Sequence, residues 1–346
     1  MKKFKPITQK DIAGALGLSA STISRVLNNV YGIGCETRKL VLDYIDQIEY
    51  YPNPIALKLK DRPSFSIGVV ISEVANSYFS QVINGIESVA YERGYQVIIT
   101  QTYESVQREI TNIQQLTSQS IDGMLISLSS ESQDTAHLKY LQEIGMPLVF
   151  FDRVPQDIES NKITVDNYKG AFKATEHLIR SGFRKIAHLT NSEKLLLTEE
   201  RLGGYSDALV KHNIPFNPDY VFYCDYSESV EKEIENIVNQ LMNRREKPDA
   251  IFSAGDRLSV ACMMAINRLG FRISEDVGFV GFTNIAEIDI LKSPITTVSQ
   301  PAFEIGKTAA EMLIEQIESK SSVVDFETIM FETELNIREP QKNPNA

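Results

Sequence analysis

Short apolar runs alternate with helical stretches from Ser66 almost to the end of the chain, and this alternation restricts the fold more than any other feature. Alternating strands and helices are typical of doubly wound sheets with parallel strands. The region is too long for one such sheet, so the sequence predicts an α/β body of two similar lobes. The predicted strands are residues 67–71, 96–100, 124–127, 148–151, 163–165, 186–189, 221–223, 250–253 and 277–282, and the clearest helices are residues 80–93, 168–181, 200–212 and 257–269.

The charge of the chain is divided unevenly along its length. The net charge is −11, but residues 1–62 hold ten Lys and Arg against six Asp and Glu, a net of +4. The remaining 25 basic and 40 acidic residues leave the rest of the chain at −15. A small basic head on an acidic body is typical of a protein that meets nucleic acid only through its head. A solvated N-terminal extension would show the same charge, so charge alone leaves both interpretations open.

Composition excludes several classes of protein. With 42% hydrophobic and 23% charged residues, the chain is neither fibrous nor disordered throughout. No apolar run approaches the roughly 18 residues that span a bilayer, and no apolar signal segment follows the basic N-terminus. The three cysteines (Cys35, Cys224 and Cys262) are far apart, which predicts neither a disulfide framework nor a zinc site. We therefore expect a cytoplasmic protein with no membrane partner.

Motifs of catalysis and cofactor binding are missing from the sequence. The glycine-rich nucleotide-binding patterns, the HExxH zinc pattern and the GxSxG nucleophile pattern do not occur. The four histidines show no metal-ligand spacing, so each is interpreted as a structural or surface residue: His137, His177, His188 and His212. The sequence predicts no catalytic activity, no cofactor and no metal site.

Three short helices are predicted within the first fifty residues. Gly17 ends the first, Ser19 is a suitable N-cap for the second at residues 20–27, and the third covers residues 36–48. Together they form a helix-turn-helix domain around one small core. The residues predicted to face that core are Ile12, Ala15, Leu16, Ile23, Val26, Leu27, Val41, Leu42, Ile45 and Ile48.

The outward side chains of the second helix suit a DNA groove. Ala20 and Ser21 are small enough to allow close approach to base edges, and Arg25 can donate two hydrogen bonds to guanine or hold a phosphate. Short polar side chains can donate to phosphate oxygens, and the candidates are Thr8, Ser19, Thr22, Ser24, Asn28 and Thr37. The alternative is a small helical module that binds protein.

The head resembles the DNA-binding domain of the lactose/galactose repressor (LacI/GalR) family. The motifs that carry the resemblance are TQKDIA at residues 8–13, LS at 18–19, TISRVLN at 22–28, TR at 37–38 and YPN at 51–53. The resemblance implies that Ala20, Ser21 and Arg25 occupy base-reading positions.

A short hinge helix is predicted after the head. Asn53 is a suitable N-cap and Pro54 a suitable first helical residue, but about two turns of helix are marginal alone in water. The family resemblance implies that such a helix folds on DNA and pairs with that of a dimer mate in the minor groove. It also implies that Leu59 wedges between base pairs while Ala56 faces the groove floor. The alternative for Leu59 is packing on the body.

The resemblance continues through the body, at residues 76–79, 151–153, 165–167, 201–205, 281–284 and 296–301. It implies a periplasmic-binding-protein-like fold with a ligand cleft between two lobes and three chain crossings. The expected domains are a helix-turn-helix at residues 1–50, a hinge at 51–62 and an effector-binding and dimerisation domain at 63–340. Within the last, the N-lobe would comprise 63–163 and 296–328, and the C-lobe 164–295 and 329–340.

Ligands of open α/β sheets bind beyond the carboxyl ends of the strands. Aromatic and charged side chains follow several predicted strands there, a combination that suits a sugar or another small polar molecule. That rule and the resemblance together give the ligand-binding candidates Tyr78, Phe79, Asp152, Arg153, Leu195, Arg201, Tyr226, Asp256 and Thr283. Asp256 could instead cap a helix beginning at Arg257, and Asp166 could cap one beginning near Tyr168.

Two places in the body depart from the family pattern, as does the glycine-rich loop at residues 31–35 of the head. Leucines occupy residues 195–197, where many members carry polar side chains, and Thr283 stands where many carry aspartate. The leucines indicate a less polar effector or a protein contact, unless they pack inside the lobe.

Taken together, these features predict a ligand-responsive transcriptional regulator, a repressor of carbohydrate-related genes, that binds a pseudo-palindromic DNA operator as a homodimer. Its small-molecule effector would be a sugar or a sugar derivative. The alternative is a transport-type sugar-binding protein, which the body alone permits and the basic helical head argues against.

Overall fold

The computed structural model describes residues 9–27, 33–47, 63–224, 230–285, 295–319 and 325–338. Two compact units are present, one formed mainly by the N-terminal residues up to Ser64 and one by nearly all of the chain from Phe65 onward. They are called the head and the body. Several predicted features lie outside the described residues: Thr8, Asn28, Ile48, the hinge at 51–62 with Asn53, Ala56 and Leu59, and Tyr226.

The described part of the head contains three helices, α1 (Gln9–Leu16), α2 (Ala20–Leu27) and α3 (Cys35–Gln47). Gly17 adopts a left-handed φ of +66°, which suits the end of α1 because glycine has no Cβ to clash. Ser19 caps α2 as predicted, since its Oγ accepts a hydrogen bond of 3.1 Å from the Thr22 backbone N–H. The buried core comprises Ile12, Ala13, Ile23, Val26, Val41 and Ile45.

Two residues predicted for this core are on the surface. Ala15 and Leu42 are exposed, and Ala13 rather than Ala15 is buried beside Ile12. The reason is geometric, because three short helices around a small core each bury only a narrow stripe. In α3 that stripe runs through Val41 and Ile45, four residues apart, and Leu42 lies beside it.

The body begins with an N-lobe sheet, continues into a C-lobe sheet and ends with elements that belong to both. The first part comprises β1 (Ser66–Ile71), α4 (Ser77–Glu92), β2 (Gln96–Gln101), α5 (Val106–Ser118), β3 (Gly123–Ile126), α6 (Ala136–Glu143), β4 (Leu148–Phe151) and β5 (Asn161–Val165). The second part comprises α7 (Asn167–Arg180), β6 (Ile186–Thr190), α8 (Leu196–Lys211), β7 (Val221–Tyr223), α9 (Val230–Met242), β8 (Ala250–Ser253), α10 (Asp256–Arg268), β9 (Gly278–Phe282) and β10 (Thr296–Ser299). The last part comprises α11 (Ala302–Glu318), β11 (Thr328–Phe331) and β12 (Glu334–Asn336).

In the described part of the body, each lobe is built on a six-stranded sheet. The N-lobe order is β11-β5-β4-β3-β1-β2, and all of its strands are parallel. The C-lobe order is β12-β10-β9-β8-β6-β7, parallel except for β12, which runs antiparallel to β10. All nine strands predicted from the sequence are present with bounds shifted by at most two residues. The doubly wound, two-lobed fold is therefore confirmed.

The predicted lobe boundaries need correction at all three crossings. β5 extends the N-lobe to Val165 rather than residue 163. β10 pairs with β9 in the C-lobe, so the second crossing follows residue 299 instead of preceding 296. β11 pairs with β5 in the N-lobe, so the third crossing follows residue 331 instead of 328. Short strands next to a crossing carry no local signal of which sheet they join, because that choice is made by distant partners.

Glycines allow two pairs of helices to pack with their backbones in close contact. A Cβ at Gly85 of α4 would lie 2.0 Å from the Phe303 carbonyl oxygen of α11. A Cβ at Gly204 of α8 would lie 2.2 Å from the Tyr168 carbonyl oxygen of α7. Neither position has room for a side chain, so both helix pairs depend on glycine for their spacing.

His188 is a core residue of the C-lobe. It is fully buried in β6, where its ring stacks on Tyr205 with centroids 4.7 Å apart and lies 5.0 Å from Phe252. Burial, assisted by the positive charge of Arg201, lowers the pKa of His188 to about 3. The imidazole is therefore neutral at neutral pH and packs as an aromatic ring.

We expect the free energy of unfolding to fall as the pH drops below about 6.5, the ordinary pKa of histidine. The unfolded chain then takes up a proton that folded His188 accepts only near pH 3, so its contribution is complete above pH 6.5 and is lost on acidification. The slope amounts to roughly 1.4 kcal/mol per pH unit for one proton. Urea unfolding at several pH values between 5 and 7 gives the free energy of unfolding, which should change less with pH for His188→Phe than for the original protein. An equal pH dependence in the two proteins would contradict this assignment.

Candidate functional site

The exposed side of α2 carries the side chains predicted to contact DNA. Ser21 and Arg25 are exposed and lie four residues apart, on one side of the helix, whereas Ile23 and Val26 are buried in the head core. Ala20 is only partly exposed and packs against that core, so it offers less surface to a groove than predicted.

Hydroxyl groups cluster at the N-terminal end of α2. The Ser19 Oγ lies 2.8 Å from both the Ser21 Oγ and the Thr22 Oγ1. Ser24 and Thr37 are half-buried. The head thus presents short polar groups at the start of a helix and a guanidinium one turn further on. This arrangement can contact phosphates and base edges, although contact with DNA remains a prediction.

A small pocket between the lobes brings together six of the predicted ligand-binding residues. Tyr78 and Phe79 lie in the first turn of α4, where the Asn76 Oδ1 accepts hydrogen bonds from both of their backbone N–H groups at 2.9 and 3.3 Å. The pocket has a volume of about 30 Å³, enough for a water molecule or two but too small for a sugar ring. This inner pocket is lined by Asn76, Tyr78, Phe79, Asp152, Arg153, Asn191, Leu197, Arg201, Gly255, Asp256 and Gln300.

A larger cavity adjoins the inner pocket at Asp152, Arg153 and Leu197, which line both. Its volume of about 360 Å³ falls within the roughly 300–1,000 Å³ of small-molecule sites. This outer cavity is lined by residues 128–130, 132, 133, 135, 152–157, 164 and 167 and residues 194–197 and 200.

Arg153 is fixed by a buried carboxylate. Its guanidinium forms an ion pair with Glu104, which also accepts hydrogen bonds from the Ser72 Oγ at 2.5 Å and the Ser130 backbone N–H at 2.8 Å. Burial alone would raise the pKa of Glu104, but the Arg153 charge and these hydrogen bonds lower it below its ordinary value. The charged pair holds the loops after β1, β2, β3 and β4 together around the pocket.

Asp152 is the carboxylate shared by the pocket and the cavity. It directly follows β4 with a left-handed φ of +60°, a conformation that aspartate tolerates better than most residues. Burial raises the pKa of Asp152 above its ordinary value, against the lowering effect of Arg153 and Arg201. The Ser127 Oγ donates a hydrogen bond of 3.4 Å to the Asp152 Oδ2.

Arg201 reaches the same pocket from the C-lobe. Its Nε donates to the Asn167 Oδ1 at 2.9 Å, and its Nη1 donates to the Ala254 carbonyl oxygen at 2.8 Å. The guanidinium also lies over the Phe282 ring, 3.8 Å from its centroid. These contacts fix Arg201 in one position before any ligand is present.

Thr283 supports the pocket without lining it. Its Oγ1 donates a hydrogen bond of 2.6 Å to the Asp256 Oδ1, and the Asn284 backbone N–H donates to the same oxygen at 2.8 Å. Asp256 is itself the first residue of α10, with Gly255 at the N-cap, so the alternative that it caps the helix is wrong. For Asp166 the capping alternative is confirmed, because its Oδ1 accepts from the Lys169 backbone N–H at 2.8 Å.

Three buried polar atoms of the inner pocket have no hydrogen-bond partner among the described residues. They are the Tyr78 hydroxyl, the Asn191 Oδ1 and the Gln300 Oε1, on side chains of residues that are at least nine-tenths buried. Leaving such a group unsatisfied costs about 1–3 kcal/mol. The inner pocket therefore offers hydrogen-bonding positions to a small polar occupant.

Polar contacts join the lobes beside this pocket. The Gln81 Nε2 donates to the Asn284 carbonyl oxygen at 2.7 Å, and the Asn284 Nδ2 donates to the Gln81 Oε1 at 3.0 Å. An ion pair of 3.4 Å between Arg257 and Glu73 also connects the two lobes.

Comparison with known proteins places the head and the body in one family. Residues 8–53 match the family described as "Bacterial regulatory proteins, lacI family", and residues 64–334 match "Periplasmic binding proteins and sugar binding domain of LacI family". The chain belongs to the LacI family. It is accordingly a ligand-responsive, DNA-binding transcriptional regulator.

Relatives of this LacI-family chain match it over nearly its whole length. The PurR transcriptional repressor of Aliivibrio salmonicida is 30% identical over 90% of this chain and 93% of its own. PurR of Photobacterium profundum is also 30% identical, over 98% of this chain and 99% of its own.

Solved structures of transcriptional regulators show the same fold. The CelR–cellobiose complex is 27% identical with a TM-score of 0.70, covering 96% of this chain and 99% of CelR. The lac repressor dimer bound to operator and the anti-inducer ONPF is 25% identical with a TM-score of 0.67. The match covers 98% of this chain and 100% of the lac repressor chain.

Five residues that line the inner pocket of this LacI-family chain escaped the sequence-based prediction: Asn76, Asn191, Leu197, Gly255 and Gln300. Asn191 directly follows β6, so the rule that ligands bind beyond strand carboxyl ends, applied to every strand, would have identified it. Gln300 lies at a crossing between the lobes, a position that no local pattern of residues marks.

The three consecutive leucines all line the outer cavity. Leu195 and Leu197 are buried, and Leu196 is 43% exposed. They extend into the start of α8, which begins at Leu196 rather than at residue 200 as predicted.

In the described parts of the chain, no helix is long and apolar enough to span a membrane. Nor do any three of their His, Cys, Asp or Glu side chains form a group that could hold a metal ion.

Proposed function

We propose that this chain represses carbohydrate-related genes in the cytoplasm by binding a pseudo-palindromic operator as a homodimer. It acts by binding alone, without catalysis, and its effector is a sugar or a sugar derivative. The observation that carries the proposal is the combination, on one chain, of a helix-turn-helix head with a two-lobed body. Between the lobes of that body lies a pocket with three unsatisfied polar atoms.

Support for DNA binding comes from the charge and the geometry of the head. Its first 62 residues carry a net charge of +4 on a chain of net charge −11. Arg25 and Ser21 share the exposed side of α2, the helix that corresponds to the recognition helix of a helix-turn-helix. A dimer would present two such helices to two half-sites, which is why we propose a pseudo-palindromic operator.

Support for a sugar effector comes from the inner pocket. Sugar hydroxyls can donate hydrogen bonds to the Asn191 Oδ1 and the Gln300 Oε1 and can pair with the Tyr78 hydroxyl. The similarity to CelR, solved in complex with cellobiose, is consistent with such a ligand.

Regulation would follow from the position of the pocket. A ligand held by both lobes changes DNA affinity only to the extent that it prefers one arrangement of the lobes. The Gln81–Asn284 contact and the Glu73–Arg257 ion pair join the lobes and would be altered by such a rearrangement. Useful regulation needs a coupling of about 1–3 kcal/mol, or roughly 5- to 150-fold in DNA affinity.

The proposal can be tested with the full chain. Duplexes selected from a random pool should contain a pseudo-palindrome, and affinity for them should fall steeply with salt concentration because phosphate contacts release counterions. A thermal-shift screen of neutral sugars then identifies a ligand. That ligand should change operator affinity by roughly 5- to 150-fold. Failure to select any preferred DNA sequence would contradict the proposed function.

Asp152→Asn is expected to weaken binding of that ligand at least tenfold, since it removes a buried charge at the junction of the two sites. Asparagine preserves the shape of the side chain and tolerates the left-handed backbone, so the fold should survive. Isothermal titration calorimetry measures the loss. The matched control is Asp219→Asn, at an exposed position outside both sites. Equal affinities in the two variants would move the ligand site elsewhere.

A further inference from the structure

The outer cavity has an apolar side formed by both lobes. The C-lobe contributes the three leucines at residues 195–197, and the N-lobe contributes Leu128, Val154 and Pro155. This group of six residues is called the leucine floor. Since Leu195 and Leu197 are already buried while Leu196 is 43% exposed, part of the floor is open to whatever occupies the cavity. An apolar group placed on it would be removed from water together with the Leu196 side chain.

The polar wall of the outer cavity already satisfies much of its own hydrogen bonding. The Ser129 and Ser132 hydroxyl oxygens lie 2.8 Å apart, and the Ser132 Oγ also donates to the buried carboxylate of Glu109 at 2.7 Å. The Thr135 Oγ1 donates to the Asp157 Oδ2 at 2.7 Å. In the inner pocket, by contrast, the Tyr78, Asn191 and Gln300 atoms named above lack partners. The demand for ligand hydroxyls is therefore concentrated at the inner end of the site.

The charges around the outer cavity do not favour an anion. Its two cationic residues are Arg153, which pairs with Glu104, and Lys194, which is exposed. Three carboxyl groups line the same cavity: Asp152, Glu200 and Asp157, the last of which forms an ion pair with Lys139. A phosphate or carboxylate on the ligand would meet more negative than positive charge, so the structure favours a neutral ligand.

From these three features we infer that the effector is a neutral glycoside with an apolar aglycone, such as an aryl or alkyl group. Hydroxyls on one edge of the sugar ring enter the inner pocket, because its volume of about 30 Å³ admits no more than an edge. The ring lies at the junction formed by Asp152, Arg153 and Leu197, and the aglycone lies on the leucine floor. This inference deepens the proposed function and rests on it, since the ligand site is the same.

The test compares phenyl and methyl glycosides of the same sugars by isothermal titration calorimetry on the full chain. The probes are the α- and β-anomers of glucosides, galactosides and mannosides, with glucose 6-phosphate as the anionic probe. For a sugar that binds, we expect the phenyl glycoside to bind about tenfold more tightly than the methyl glycoside, because the ring buries apolar surface. Glucose 6-phosphate should not bind more tightly than the neutral probes.

A pair of variants on α8 separates the leucine floor from general effects on the protein. Leu196→Asn places an amide on the floor at a partly exposed position, so the fold should survive, and it should bring the phenyl-to-methyl affinity ratio close to one. The control is Val210→Asn, near the other end of the same helix, at a residue that is 61% exposed and does not line the cavity. This variant should keep the ratio of the original protein.

Three outcomes would overturn the inference: equal affinities for phenyl and methyl glycosides, tighter binding of the phosphate, or no binding of any glycoside. Each can occur while the chain still selects an operator, in which case the ligand class is wrong and the DNA-binding function stands. Failure of DNA selection alongside tight phenyl glycoside binding would instead refute the regulatory function and leave the ligand class intact.

Discussion

Replacing Arg25 by alanine is expected to lower affinity for the selected operator by about one to two orders of magnitude, the value of one bidentate contact to a base. Arg25 is exposed on α2, on the same side as Ser21 and away from the buried Ile23 and Val26. Its loss should leave the head core intact. Competition binding against a scrambled duplex measures the specificity directly, because a lost base contact affects only the selected sequence.

The control for charge is Lys39→Ala, at an exposed position on α3. Removing this charge should weaken binding to the selected and the scrambled duplex by similar factors, as expected for a nonspecific electrostatic effect. If Arg25→Ala behaves in the same way and preserves the ratio of the two affinities, Arg25 does not read bases.

Substitutions at two adjacent glycines in α8 are expected to differ strongly in their effect on the free energy of unfolding. Gly204→Ala should lower the free energy of unfolding by about 3 kcal/mol or more, because the new methyl group would lie 2.2 Å from the Tyr168 carbonyl oxygen and force α7 and α8 apart. Urea unfolding of the full chain measures the change. Other helical substitutions of glycine by alanine usually stabilise, so the sign of the effect is informative.

Gly203→Ala is the matched control, one residue earlier in the same helix. A Cβ there would lie 3.6 Å from the Tyr168 ring, an ordinary van der Waals contact. We expect this variant to be neutral or more stable by up to about 1 kcal/mol, because alanine favours helix over glycine. Similar stabilities of the two variants would show that the helices can separate at little cost.

Much of the fold could be predicted from the sequence because the signals are local. β1 and β4 are continuous apolar runs bounded by polar turns, and both were placed within one residue. The three strands β10, β11 and β12 were missed because they are short and carry polar residues. Their membership of a sheet depends on partners far away in the chain, as when β11 pairs with β5.

The residues of the candidate site also differ in whether a local pattern predicts them or only contacts with distant parts of the chain reveal them. Asp152 directly follows β4 and Asp256 lies three residues after the end of β8, so the rule on strand carboxyl ends finds both without a structure. Thr283 was predicted to line the cleft, but its hydroxyl is turned to Asp256, an orientation that no pattern of spacing reveals. The role of the leucines at residues 195–197 also needed the structure, because only the facing residues of the other lobe show that they form one side of a cavity.

The edge strands β11 and β12 have a consequence for how the protein is made. They are the last strands among the described residues, and each completes the sheet of a different lobe. Because translation proceeds from the N-terminus, both lobes remain one strand short until these residues have left the ribosome. Until then β5 and β10 expose backbone groups that can pair with another polypeptide. A product truncated before Thr328 would therefore carry the head on a body prone to aggregation. Early termination would impair both the solubility of the protein and the control of DNA binding by the body.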